Sequence, residues 1–172
     1  MTVIYTDGAC QGNPGPGGWA WATAPEGTPS GSGGELRSTN QRMEVQAVLE
    51  ALRAHVHLPS GSVTIVSDST YVVNCFRDRW WVKWQQNGWK NSKKEPVANQ
   101  DLWEPLVAIV QQTKPAFRWV KGHSGEPMND LVDRLAVAAA VHIVANPPRP
   151  DPAAGTSSAA GADRPTQPGL FD

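Results

Sequence analysis

The chain has 172 residues, 15 of them Lys or Arg and 16 Asp or Glu, for a formal charge of −1. That length suits one domain, and 40% apolar residues can fill a core. The longest near-apolar run, Leu135 to Ala145, contains His142 and falls short of the roughly 18 residues a membrane span needs, so no membrane partner is expected.

In Thr2 to Cys10 apolar and polar residues mix at period two, as in a strand. No basic region precedes Asp7, so the start does not read as a secretory signal and a cytoplasmic protein is expected. Cys10 and Cys75 lack the number for a disulfide framework and the spacing for a zinc site, so reduced thiols are expected. Gly12-Asn13-Pro14-Gly15-Pro16-Gly17 forces a turn. Trp19 to Ala24 and Ser32 to Ser38 read as two more strands around a Pro25 to Gly31 loop, an antiparallel meander. After Asn40, which can cap, Val45, Val48, Leu49, Leu52 and Val56 mark one face of an amphipathic helix. Ser62 to Ser67 is a fourth strand, Ser69 to Trp84 a helical region, Asp101 to Gln112 a helix and Ala116 to Val120 a fifth strand. Asn129 to Val144 closes the series as a helix, with Leu131, Leu135, Ala138 and His142 in register. Crossover helices make the later strands parallel to the first, which predicts an α/β fold with a mixed sheet covered by helices.

The composition changes at Asn146. Of the last 27 residues, 18 are Pro, Gly, Ala, Ser or Thr, too little apolar surface to order a segment. Residues 1–145 therefore read as one domain and 146–172 as a flexible tail. Between Arg77 and Lys94 six basic residues face only Asp78, and a polyanion is the natural partner of that stretch.

Carboxylates are costly to bury, so acids among apolar residues draw attention. Asp7 shares strand parity with Val3 and Tyr5. Glu44 borders its helix's apolar stripe, Asp68 follows the fourth strand, and Asp133 sits within Leu131-Val132-Asp133-Arg134-Leu135. The carboxyl end of a strand is where clefts of α/β sheets open. Each acid also has a plain explanation, Asp68 as a helix cap and Glu44 and Asp133 as helix-surface acids. Spacing leaves open whether they converge.

Five motifs in order resolve this. They are Tyr5 to Cys10 with Gly12 to Gly18, Thr39 to Glu44, Ser67 to Ser69, Trp119 to Gly125, and Asn129 to Asp133. Together, from Val3 to about Ala140, they resemble type 1 ribonuclease H. The resemblance implies a mixed five-stranded sheet with flanking helices, and an endonuclease that cuts the RNA strand of RNA–DNA hybrids to leave 5′-phosphate and 3′-hydroxyl ends. It maps the catalytic carboxylates onto Asp7, Glu44, Asp68 and Asp133. A non-cleaving hybrid-binding module or a structure-selective DNA nuclease of the same fold are the alternatives.

Oxygen ligands without convergent Cys or His favour Mg²⁺, with Mn²⁺ as a substitute. Two ions about 4 Å apart would bridge the scissile phosphate. The resemblance also makes His123 an assisting residue that moves protons or helps product leave, a role open to an imidazole. It places Gly8, Ala9, Cys10 and Asn13 on the RNA minor groove, where the 2′-hydroxyl marks the strand. Arg37, Thr39 and Asn99 match a phosphate pocket for the DNA strand, and Asn40 and Gln41 match groove-contacting amides. Thr70 departs from the glutamine common there.

In the basic segment Trp80, Lys83 and Lys90 are the expected contacts, although Trp80, Trp81, Trp84 and Trp89 are as well placed to brace the segment as to stack on substrate. Gln85-Gln86-Asn87 replaces a basic cluster of the family, which predicts weaker hybrid affinity. The last residues, with Gln167, Leu170 and Phe171, are similar to the peptide by which bacterial replication proteins dock on the sliding clamp. A monomer is expected.

Overall fold

The computed structural model describes residues 1–150. Its elements are β1 (Thr2–Cys10), β2 (Gly15–Thr23), β3 (Ser30–Ser38), α1 (Asn40–Ala54), β4 (Val63–Ser67), α2 (Thr70–Arg77), α3 (Trp80–Asn87), α4 (Gln100–Thr113), β5 (Ala116–Trp119) and α5 (Pro127–Ala145). The strands form one sheet in the order β3-β2-β1-β4-β5. β1, β2 and β3 run antiparallel, β4 runs parallel to β1, and β5 parallel to β4. The mixed sheet expected from the sequence is therefore the one observed.

Period-two alternation divides the side chains between two cores. Ile4 and Ile65 face a large cluster with Val45, Val48, Leu49 and Leu52 of α1, Val72 of α2 and Trp103 and Leu106 of α4. Tyr5 and Val66 point the other way, against Ala22 and Val132. Burial of each large aliphatic side chain contributes about 1.5–3 kcal/mol, enough for the α1 stripe to hold the helix in place although it carries a carboxylate inward.

Several elements differ from the sequence reading. β2 begins at Gly15, because Gly17 is not a turn residue but, like Gly18, a place of close packing. A Cβ on Gly17 would lie 2.7 Å from the Met43 side chain, and one on Gly18 would overlap the Ala136 carbonyl. The cap of α1 is Thr39, whose Oγ1 accepts from the Arg42 N–H at 3.2 Å, and Asn40 is already helical. That helix stops at Ala54, where His55 places its Nδ1 2.7 Å from the Ala51 carbonyl, and Val56 is exposed. The helical region after Ser69 is two helices. Arg79, with φ of 55°, turns the chain so that Trp80, Trp81 and Trp84 fold back against the core.

On α5 the buried face is Val132, Ala136, Ala139 and Ala140, with Ala138 and His142 exposed and Leu131 and Leu135 half-buried. The small side chains let α5 lie close over Gly18 and Gly34, which outweighs the larger aliphatic stripe. Among the described residues no helix is long and apolar enough to cross a membrane. Gln167, Leu170 and Phe171 lie outside the described residues.

Candidate active site

β1 and β4 run in parallel with Thr6 beside Ser67, so Asp7 and Asp68, the next residues along, emerge together where the two strands diverge. Glu44 reaches the same point from the first turns of α1 because Gly8 has no side chain. A Cβ there would overlap the Glu44 backbone nitrogen. One carboxylate oxygen from each of Asp7, Glu44 and Asp68 lies within 4.8 Å of the others. Asp133, from α5, lines the same cleft of about 340 Å³ along with Gly8, Ala9, Cys10, Asn40 and His123. It stands outside that close trio, so the four expected ligands resolve into three clustered acids and one across the cleft. A larger cavity of about 520 Å³ lies between β3 and α5, but it is lined by Gly33, Gly34, Leu135, Ala139 and His142 and holds no acid.

The carboxylates are electrostatically uncomfortable without a cation. Burial, then the charge of Asp68, pushes the Asp7 carboxyl up to about 7. Glu44 is held well above the usual range by burial first and by Asp7 and Asp68 second. Part of this residue meets solvent, yet its Oε2 is buried without a hydrogen-bond partner. Asp68 is raised by burial, while a side-chain hydrogen bond from Asn129 and the charge of His123 offset part of the rise. An unpartnered inward oxygen beside two more acids is what a hard cation would satisfy. Asp68 does not cap α2. Ser69 does, accepting from Val72 N–H at 3.2 Å, which leaves the Asp68 carboxylate free for the cleft.

His123 is exposed, with φ of 53°, on the loop between β5 and α5. Gly122 lets this loop approach the acids, since a Cβ there would sit 2.7 Å from Asp68 Oδ2. Asn13 reaches across the turn after β1, its Oδ1 accepting from Asn40 N–H at 3.3 Å. The Cys10 thiol donates to the Gly15 and Ser38 carbonyls.

Thr39 and Asn99 stand at the starts of α1 and α4, and Arg42 ties those starts together. Its guanidinium donates to both Asp101 oxygens at 2.9 and 2.7 Å and to Glu35. Arg37, Asn40, Gln41 and Thr70 are exposed. Trp80, Lys83 and Lys90 line a groove of about 450 Å³ with Trp84 and Asn87. Trp84 is the brace of that segment, with ring contacts to Trp80, Trp89 and the buried Trp103.

The sequence reading missed Asn129 as a site residue in its own right. It is buried at the start of α5, where its backbone N–H donates to the capping Glu126 and its side chain meets Asp68. An Asn in the first turn of a helix reads as local cap chemistry, and only the fold brings it to the acids.

A family model, RNase H, matches residues 1–141. The chain belongs to the RNase H family. The ribonuclease H of Syntrophomonas wolfei is 49% identical over 135 residues, covering 78% of this chain and 92% of that protein. The ribonuclease H of Nitratidesulfovibrio vulgaris is 50% identical over 139 residues, covering 80% and 88%. Among solved structures, LC9-RNase H1, a type 1 RNase H with the type 2 active-site motif, superposes with a TM-score of 0.70 at 33% identity, covering 82% of this chain and 72% of that one. In this RNase H chain the carboxylate cluster has the donor chemistry of a divalent-cation site.

Proposed function

We propose that the protein hydrolyses the RNA strand of RNA–DNA hybrids with Mg²⁺, or Mn²⁺ in its place, leaving 5′-phosphate and 3′-hydroxyl ends. The observation that carries this reading is the trio Asp7, Glu44 and Asp68, three acids within 4.8 Å of one another, one of which has an unpartnered buried oxygen. Asp7, Glu44 and Asp68 would hold two cations, with Asp133 completing the set from α5. When bound, such ions lower the pKa of the attacking water and stabilise the departing ribose 3′ oxygen.

The chain's own residues do the rest. His123, exposed at the rim of the cleft, assists proton transfer and eases departure of the product phosphate. Gly8, Ala9 and Cys10 offer backbone at the floor of the cleft, close enough to read a 2′-hydroxyl, and Asn13 and Asn40 flank it. The helix starts at Thr39 and Asn99, with Arg37 nearby, present N–H groups and partial positive charge to a phosphate of the DNA strand. Gln41 and Thr70 extend toward the groove. Lys83 and Lys90, with the face of Trp80, hold the duplex at a distance from the cut. The protein acts as a monomer on this reading, and Gln167, Leu170 and Phe171 form a docking peptide for the sliding clamp.

A gel assay with end-labelled RNA–DNA hybrid, duplex RNA and duplex DNA, each with Mg²⁺ and with chelator, tests the proposal. Cleavage confined to the RNA strand of the hybrid, and abolished by chelator, is the expected result. Cleavage of duplex DNA, or of the hybrid in chelator, overturns it. For the tail, anisotropy of a labelled peptide of residues 160–172 titrated with clamp is expected to saturate and to lose binding after Leu170→Ala and Phe171→Ala.

A further inference from the structure

We infer that Trp119 is a positioning residue for the carboxylate cluster, acting through the backbone of Asp68. The inference rests on the cation-binding reading above. Asp68 lies past the end of the β4 ladder and before the first helical hydrogen bond of α2, so its carbonyl belongs to neither element. The indole of Trp119 fills that gap, with Nε1–H donating to the Asp68 carbonyl at 3.0 Å. The preceding peptide is fixed by Val120 N–H, which donates to the Ser67 carbonyl at 3.0 Å, and the other end of the Asp68–Ser69 peptide by Ser69 N–H, which donates to Ser67 Oγ at 3.1 Å. The side chain of Asp68 is met by Asn129 and by the backbone of Gly122. Trp119 thus fixes the one peptide oxygen of this ligand that regular structure leaves over.

Packing does not account for the residue. Trp119 ends an edge strand, paired in register with Ser67, and is 43% exposed. A phenylalanine would keep an aromatic ring at the position, whereas only the indole carries a donor to the carbonyl. Without this bond the Asp68–Ser69 peptide is held only by its Ser69 N–H on Ser67 Oγ, so the backbone dihedrals that aim the Asp68 carboxylate into the trio are less tightly set. Ligand-orienting groups outside the coordination sphere commonly change metal affinity by about tenfold or more.

The test compares the full-length parent with Trp119→Phe by calorimetric titration of Mg²⁺, thermal unfolding in chelator, and steady-state cleavage of a hybrid. Trp119→Phe is expected to raise the Mg²⁺ Kd and lower kcat by about tenfold, with KM for hybrid and the chelator Tm nearly unchanged. A purely structural role would lower Tm and leave the Kd alone. A variant with the parent's Kd and kcat overturns the inference. A parent that takes up no Mg²⁺ overturns the cation reading and this inference with it.

A second measurement needs no variant. In the metal-free parent the Trp119 Nε1 proton is expected to exchange slowly with solvent for so exposed a ring, and to shift as Mg²⁺ is added. Exchange at the rate of a free indole, with no shift, overturns the inference even if Trp119→Phe does not fold.

Discussion

Gly8 lies directly against the peptide joining Met43 to Glu44, and this contact brings a carboxylate of α1 to the end of β1. The methyl of Gly8→Ala has nowhere to go except into α1, and overpacking of this kind costs about 1–3 kcal/mol. The variant is expected to lose stability by that amount in chelator. Its kcat on hybrid should fall more steeply than its KM rises, because Glu44 is moved away from Asp7 while the groove of Trp80, Lys83 and Lys90 is untouched. Thermal unfolding and steady-state kinetics on one preparation check both.

The raised carboxyls couple stability to pH with a definite sign. The folded protein holds a proton on Asp7 up to about 7, whereas the unfolded chain releases it near the ordinary Asp value of about 3.9. Across that window the native state binds more protons, so metal-free stability falls as pH rises and levels off once Asp7 is ionised in both states. Divalent cation reverses the trend by favouring the ionised acids. Thermal unfolding in chelator is therefore expected to give a lower Tm at pH 8 than at pH 5.5, and added Mg²⁺ to raise Tm more at pH 8.

Glu44→Gln separates ligation from packing. Glutamine has the shape of the protonated acid that the metal-free protein favours, so Tm in chelator is expected to change little. The Mg²⁺-dependent rise in Tm should vanish, and cleavage should drop at least about a hundredfold, since a metal-stabilised charge accounts for several kcal/mol of the barrier. Differential scanning fluorimetry with and without Mg²⁺, beside the hybrid assay, reads this.

The basic segment predicts a salt signature. Lys83 and Lys90 line the tryptophan groove, whereas Lys93 and Lys94 are exposed beyond it. Replacing the first pair with Ala is expected to weaken hybrid binding across all sequences and to reduce the slope of log K against log salt by roughly one for each phosphate no longer neutralised. The second pair should have the smaller effect. Fluorescence anisotropy at a series of salt concentrations decides, and an unchanged slope for the first pair contradicts the assignment.

The acids were legible in the sequence because each interrupts a pattern. Asp7 breaks an apolar strand face, Asp68 ends a hydrophobic run, and Glu44 and Asp133 intrude on helix stripes. Their convergence was legible only through resemblance, since no local pattern reports that Thr6 pairs with Ser67. Two of the misreadings come from contacts between elements distant in sequence. Gly12 to Gly17 read as a turn, yet β2 begins at Gly15 and Gly17 makes room for Met43. Alanines won the buried face of α5 over Leu131 and Leu135 because close approach to Gly18 and Gly34 favours small side chains there. The break at Arg79 was hidden because Trp80 and Trp84 keep helical spacing on either reading.

The central claim is that Asp7 belongs to a cation site that cuts RNA in a hybrid. Single-turnover cleavage of a labelled hybrid in Mg²⁺ by the parent and by Asp7→Asn, with circular dichroism to verify folding, tests it most directly. A folded variant whose cleavage rate is at least about a hundredfold below the parent's is the predicted result. A folded variant that cuts at the parent's rate would contradict the claim.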